Sequence, residues 1–170
     1  MCNNLWKGLL AVGMCFLYLG TAAQNVSINL LTHEAGIVGR NELLVLEITI
    51  NNSSATDTVA SFKLRPQVSI PSKLVAVADT GHVMPAGWSI VYNMDGVVRF
   101  SNGSDRIAPF EARTILLLLR GLNPGGPATI SGNLLFSNGI APGNASGTAT
   151  PGDNPADNSS TTTCEVVARK

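Results

Sequence analysis

The clearest alternation of apolar and polar positions along the chain lies in residues 42–52, ELLVLEITINN. Side chains alternate across a β-strand, so every second residue of this stretch would face a core. The other face is still half apolar, which favours a strand with neighbours on both sides over an exposed edge strand. We therefore predict a central β-strand that ends in a turn of Asn and Ser residues. Its core-facing residues would be Leu44, Leu46, Ile48 and Ile50.

Short apolar alternations separated by Gly, Pro, Asn and Asp fill the chain after residue 24. This pattern is typical of strands joined by turns. Residues 36–39 are predicted to form a turn into the central strand. The Asp95-Gly96 step predicts a tight hairpin, because glycine accepts the positive φ that such turns require. The other predicted strands are 26–30, 59–64, 68–70, 74–78, 88–92, 97–100, 113–120, 128–137 and 161–167.

Residues 115–119 are apolar at every position, so their periodicity does not separate a helix from a buried strand. Leucine would allow a helix there. The run is short and is bounded by Pro109 and by the Gly- and Pro-rich stretch 121–127, which favours a second central strand. Strands at short, regular spacing predict an all-β chain folded as an antiparallel β-sandwich.

Residues 1–23 are predicted to be a secretory signal peptide. Lys7 supplies a positive charge, residues 8–20 are apolar, and Thr21-Ala22-Ala23 offers small residues for cleavage. The apolar run is short for a transmembrane helix. A retained anchor is one alternative, and a lipoprotein signal at Cys15 is another, although Met14 stands where a small residue is expected. Cleavage would leave residues 24–170 as a single exported domain.

The composition of this domain limits the classes of partner that it could bind. The formal net charge is zero and only 13% of residues are charged, with no basic run. This argues against nucleic acid or an anionic membrane as a partner. Cys164 would be the one cysteine left after cleavage, so no internal disulfide is predicted, and we expect it to be buried. Residues 138–160 are rich in Gly, Pro, Ala, Asn and Thr and are predicted to form a long exposed loop.

Four segments resemble the DUF11 type of immunoglobulin-like module found in bacterial surface proteins. They are the strand and turn at 45–64, the Met-Pro-Ala-Gly-Trp turn at 84–88, the Ile-Ala-Pro step at 107–109, and DNPADNSSTTTCEV at 153–166. The last is the most specific, because such domains typically end in a similar Asn-Pro-Ala segment before a Thr/Val-rich strand. The signal ending in Ala-Gln also resembles those of Bacteroidota.

The resemblance covers residues 25–167 and implies an immunoglobulin-like β-sandwich with a structural or adhesive role, secreted or at the cell surface. It implies no catalytic residues. The chain departs from the family pattern in two ways. The expected Asp-x-Leu-Pro segment is altered around residues 79–85, and there is a single copy of the module.

Asp79 is the candidate for hydrolytic chemistry, because Ala78-Asp79-Thr80-Gly81 matches the core of an aspartic-protease motif. That chemistry needs two aspartates that share a proton. The sequence holds one copy, followed by His82, so we favour a turn after a strand. His33 and His82 lack ligand spacing, and we expect both at the surface or in turns.

Asp153 and Asp157, with Asn154 and Asn158, could supply hard oxygen ligands to calcium. Calcium takes six to eight oxygens, often from a flexible loop. The spacing matches no defined calcium loop, and turn formation is the alternative explanation for these residues. Calcium is the only cofactor that the sequence suggests.

Trp88 and Tyr92 are predicted to share one face of a strand. On a sandwich such residues usually belong to the core. If they point outward, their flat apolar rings could stack against sugars. The sequence as a whole therefore predicts a non-enzymatic exported module that binds other surface proteins or glycans. A carbohydrate-binding module is the alternative, and a hydrolase that uses Asp79 is the third possibility.

Overall fold

The computed structural model describes residues 25–137 and 153–168. The predicted signal peptide and most of the predicted loop 138–160 lie outside the described residues. Within the described ranges, no helix is long and apolar enough to cross a membrane. The strands are Val26–Thr32 (β1), Ile37–Gly39 (β2), Leu43–Asn52 (β3), Leu64–Ser69 (β4), Val75–Val77 (β5), Ser89–Met94 (β6), Val97–Ser101 (β7), Ala112–Gly121 (β8), Gly125–Phe136 (β9) and Ser159–Val167 (β10).

The strands form two sheets. One has four strands in the order β1-β3-β8-β5, and the other has six in the order β2-β10-β9-β4-β7-β6. All neighbouring strands are antiparallel except β2 and β10, which run parallel. The predicted all-β immunoglobulin-like β-sandwich is therefore confirmed. The predicted central strand is also confirmed, because β3 lies between β1 and β8.

The core lies between the two sheets and contains the alternating residues of both. The four core-facing residues predicted for β3 are all buried, and so is Cys164. The leucine-rich run forms β8, so the helix alternative is wrong there. Its inward residues Ile115, Leu117 and Leu119 are buried in the core, whereas Leu116 and Leu118 lie on the outer side of the sheet. Other core residues include Val26, Leu64, Val68, Val75, Val98, Phe100, Ile107, Ile130 and Phe136.

The predicted strands 59–64 and 68–70 are wrong in their boundaries. Val59 makes only an isolated bridge to Ile107, and one continuous strand, β4, runs through Pro66. A proline lacks the N–H that a ladder needs. The backbone N–H of Leu64 points towards the Asn102 side chain, at 3.0 Å. A backbone N–H at position 66 would point in the same direction as that of Leu64. The pairing of β4 with β7 begins only at Gln67. The missing N–H therefore breaks no ladder bond.

The predicted turn at 36–39 is also wrong. A short 3-10 turn at Glu34–Gly36 precedes β2, which pairs in parallel with the end of β10. Gly36 has a φ of +77°, and an added Cβ would meet the backbone oxygen of Thr163. Glycine is required there because the two backbones approach closely. A three-residue strand whose partner lies more than 120 residues away leaves no periodic signal in the sequence.

Candidate functional site

Outward-facing side chains of the six-stranded sheet form one row across five strands. Register places Tyr92 opposite Arg99, Arg99 opposite Gln67, Gln67 opposite Asn133, and Asn133 opposite Ser159. Residues directly opposite in antiparallel strands share a face. The residues on either side of Arg99 and Asn133 along their strands are buried, so the row faces away from the core. We call these five residues the polar row.

Two direct contacts order one end of the polar row. Arg99 donates a hydrogen bond from Nε to Oε1 of Gln67, at 2.7 Å. The Arg99 guanidinium carbon also lies 5.3 Å from the centroid of the Tyr92 ring. That distance is within the range of a cation–π interaction. The arginine therefore connects an exposed aromatic ring to the carboxamide of Gln67.

A pocket of about 280 Å³ lies at the other end of the polar row. Its walls combine side-chain amides and a hydroxyl with apolar groups. They come from β4, from β9, from the 3-10 turn Pro155–Asp157 with the residue after it, and from the first residue of β10. The lining residues are Gln67, Asn133, Leu134, Leu135, Pro155, Asn158 and Ser159.

The structure separates Trp88 and Tyr92, which the sequence predicts on one face. A β-bulge lies between Ile90, which pairs with the core residue Phe100, and Tyr92, which pairs with Arg99. The extra residue of a bulge reverses the alternation beyond it. Trp88 is consequently in the core, whereas Tyr92 is 38% exposed. A binding role for Tyr92 stays a prediction.

Trp88 takes part in a partly buried polar cluster instead. Its indole Nε1 donates to Oδ2 of Asp105 at 2.7 Å, and Nε of Arg113 donates to the same oxygen at 2.8 Å. Burial by itself would raise the pKa of Asp105, but the hydrogen bonds from Arg113 and Trp88 together lower it below its usual value. We interpret this cluster as a structural clamp between the Trp88 turn and β8.

Asp153 lies in a segment that was predicted to be exposed, and that prediction is wrong for this residue, which is buried. Its Oδ1 accepts a hydrogen bond from the backbone N–H of Val26 at 3.0 Å. Its other oxygen, Oδ2, accepts one from Nδ2 of Asn158. Both carboxylate oxygens therefore already have protein donors.

The structure brings Asp157 close to Asp153, as the predicted calcium site requires. The pKa of Asp157 is raised, first by its burial and then by the negative charge of Asp153. Within the described residues, Oδ1 of Asp157 and Oδ1 of Asn158 are buried and lack a hydrogen-bond partner. Calcium takes six to eight oxygens. The described part of the chain offers too few, and calcium binding stays a prediction.

The groups considered for catalysis are dispersed and engaged elsewhere. Asp79 is exposed after β5. Nδ1 of His82 accepts the backbone N–H of Leu118 at 3.1 Å, and Nε2 of His33 lies 3.1 Å from Oε2 of Glu47. Burial raises the pKa of the Cys164 thiol, which makes it a poorer nucleophile at neutral pH. Across 25–137 and 153–168, no three His, Cys, Asp or Glu residues cluster as metal ligands.

The outward side of the four-stranded sheet carries a group of apolar side chains beside polar ones, which include exposed Arg120 opposite Leu43. Register places Leu31, Glu47 and Leu116 side by side, and Val83 is bridged to Leu116 beyond them. Leu31, Leu43 and Val83 are 52%, 50% and 56% exposed. This surface was missed by the sequence analysis, although the leucine run on β8 was its visible signal. We call it the apolar face, and it comprises Leu31, Leu43, Val45, Val83, Leu116 and Leu118.

Comparisons with known proteins find likeness in structure only. No family model and no curated protein match the chain. A cohesin module of a family 33 glycoside hydrolase from Clostridium perfringens is 12% identical, with a TM-score of 0.53, and the match covers 88% of this chain and all of that module. A CARDB domain from Pyrococcus furiosus is 12% identical, with a TM-score of 0.48, and the match covers 85% and 90% of the two chains.

A protein from Nocardia farcinica, described as having an immunoglobulin-like fold, is 14% identical, with a TM-score of 0.45. That match covers 81% of this chain and 98% of the other. At these identities the likeness concerns the fold alone. The match to the C. perfringens module agrees with the two-sheet architecture described above.

Proposed function

We propose that this protein is a non-catalytic exported module, with a structural or adhesive role at the cell surface, that binds a partner protein through its apolar face. The observation that carries the proposal is the half-exposed set of Leu31, Leu43 and Val83 on one side of a regular sheet. Soluble monomers rarely leave large contiguous apolar patches in water, and such patches usually mark interaction sites.

The geometry of the apolar face suits a protein partner. The face is built on β3 and β8, whose inward residues are fully packed in the core, so its shape is held rigidly. Rigid surfaces lose little conformational entropy on binding. Glu47 lies within the face beside Leu31 and Leu116, and its carboxylate contacts His33. A polar group among apolar neighbours contributes specificity, because a wrong partner would leave it unpaired.

The export and surface location belong to the same proposal. They are supported by the signal-like residues 1–23 and by the resemblance of residues 25–167 to DUF11-type modules. The C. perfringens neighbour is a cohesin module from a family 33 glycoside hydrolase. We propose association for the present chain on the strength of its apolar face.

The absence of catalysis is likewise part of the proposal. Nδ1 of His82 accepts a hydrogen bond from the backbone N–H of Leu118, and Cys164 is buried. Asp79 stands on an exposed turn. Loss of an acid-pH peptidase activity in an Asp79→Asn variant would support the competing hydrolase function.

The test is binding of the purified, fluorescently labelled chain to intact cells of the organism that encodes it. A Leu31→Asp/Leu43→Asp double variant should bind at least tenfold more weakly, because each charge would have to be desolvated at the interface. Thr129→Asp, on the exposed outer side of β9, is the matched control and should bind like the unmodified chain. Equal binding by the double variant, with its melting temperature unchanged, would contradict the proposal.

A second function, carbohydrate binding, is favoured by a different observation. Tyr92 is exposed on the opposite sheet, with Arg99 against its ring and Gln67 next to the arginine. An aromatic ring beside hydrogen-bonding groups is a common arrangement for contact with sugars. Trp88 is not part of this platform, because it lies in the core.

A further inference from the structure

We propose that the pocket at the end of the polar row is a binding site for one neutral sugar unit of a glycan. This inference deepens the carbohydrate-binding function above and rests on it. In this inference the lining of the pocket, and not the aromatic residues, makes the primary contact with the sugar. The lining residues are 67, 133–135, 155, 158 and 159.

The chemistry of the lining selects a neutral, polyhydroxylated ligand. Gln67, Asn133 and Asn158 each carry a carboxamide, and Ser159 adds a hydroxyl. A carboxamide donates and accepts hydrogen bonds, as does a sugar hydroxyl. Leucine and proline side chains supply the apolar part of the wall, which suits the C–H faces of a sugar ring. None of the lining residues is ionised, so a charged ligand would find no counter-charge in the pocket.

Asn158 is held in a fixed orientation with its acceptor unused. Its Nδ2 donates to the buried carboxylate of Asp153, and its backbone oxygen accepts from the N–H of Leu134 at 2.8 Å. Its Oδ1 is buried and accepts no hydrogen bond from the described residues. These two hydrogen bonds fix the position of the pocket wall at Asn158.

Gln67 is ordered in the same way on the opposite wall. Its Oε1 accepts from Nε of Arg99, which leaves the amide nitrogen of Gln67 as a donor. The two walls therefore carry the carboxamides of Asn158 and Gln67 in orientations that protein contacts fix. Because both side chains are oriented by protein contacts, they would lose little entropy when a ligand binds.

The pocket fits one sugar ring, and the polar row would guide further units. Its volume of about 280 Å³ lies just below the range of sites for drug-sized ligands. Tyr92 stands three strands away from Asn133, which is about 14 Å at the usual spacing of strands. One ring in the pocket cannot reach Tyr92, whereas a longer chain running along the row can. Affinity should therefore increase with chain length only while Tyr92 is present.

The test is a titration of the isotope-labelled chain with neutral gluco-, xylo- and manno-oligosaccharides of one to six units, followed by NMR. We expect saturable shifts of the side-chain amide signals of Gln67, Asn133 and Asn158. Asn133→Ala should weaken binding about tenfold for every length, since it removes hydrogen bonds to the ligand. Tyr92→Ala should weaken binding only of the longer chains. Asn29→Ala, an exposed asparagine on the other sheet, is the matched control and should have no effect.

Three results would overturn the inference. One is that none of these sugars causes saturable shifts. Another is that the shifts map to the apolar face instead of the pocket. The third is that Asn29→Ala and Asn133→Ala weaken binding equally. The Leu31→Asp/Leu43→Asp variant should bind the sugars normally, so failure of the sugar site and failure of the protein-binding face can be told apart.

Discussion

At the scale of single residues, Asp157 shows how one carboxylate can work against the fold. Its pKa is raised by burial and by the charge of Asp153. A group whose pKa is raised on folding favours the folded state below its unfolded pKa, and that contribution is lost as the pH rises through the folded pKa. At neutral pH, therefore, ionised Asp157 destabilises the protein.

The prediction is that Asp157→Asn stabilises the chain at pH 7 by a few tenths to about 1 kcal/mol, because it removes a partly buried charge and its repulsion by Asp153. The gain should disappear near pH 3, where the carboxyl is protonated in both folded and unfolded states. Urea unfolding at the two pH values measures it. A variant that is less stable at pH 7 would show that the carboxylate has a favourable partner.

The Asp157→Asn variant also tests whether the chain binds calcium. If calcium binds at Asp153 and Asp157, millimolar calcium should raise the melting temperature of the unmodified chain and leave that of Asp157→Asn unchanged. Equal melting temperatures with calcium and with a chelator would show that calcium does not bind at these residues. The sequence predicts a calcium site in this acidic segment, but it could not show that Val26 and Asn158 donate hydrogen bonds to the oxygens of Asp153.

At the scale of elements, the outer edge of β1 shows how the sandwich protects a free strand edge. Unpaired edge groups invite pairing with other chains. The N–H of Val26 donates to Asp153 and the N–H of Leu30 donates to Oγ of Ser160 at 3.0 Å. Among residues 25–137 and 153–168, no strand pairs with β1 on this side, and side chains of the segment 153–160 cap its edge.

We predict that Ser160→Ala destabilises the protein by about 1 kcal/mol, because it leaves the N–H of buried Leu30 without its acceptor. Hydrogen exchange at Leu30 should become faster, while exchange at Ile48 in the middle of β3 changes only with global stability. Thr161→Ala, whose side chain is exposed, is the control. Unchanged exchange at Leu30 would mean that the hydroxyl does not protect this edge.

The strands also show which structural features the sequence patterns could predict and which they could not. Alternation predicted β1, β3 and β9, because each has one face against the core, whereas β8 was predicted from its short length and its flanking Pro and Gly residues. The Asp95-Gly96 hairpin was confirmed, with φ values of 53° and 76° at its two turn residues. The bulge in β6 and the passage of β4 through Pro66 could not be predicted. Both depend on which partner strand lies alongside, and no local pattern records that.

At the scale of the whole molecule, the sandwich presents two outer faces of different chemistry. The four-stranded sheet exposes the apolar face, and the six-stranded sheet exposes the polar row and its pocket. The polar row joins residues from five strands between positions 67 and 159. Only the register of four strand pairs brings them together, so the sequence alone could not assemble this site.

Footprinting by hydroxyl radicals, on the labelled chain free and bound to cells of its source organism, tests the central claim most directly. If the chain binds through its apolar face, we expect the oxidation of Leu31, Leu43 and Val83 to fall severalfold on binding. Met94, exposed at the edge of the other sheet, should remain as reactive as before and serves as the internal control. Protection of Met94 and Tyr92 with no change at the three apolar residues would contradict the account and make the six-stranded sheet the adhesive surface.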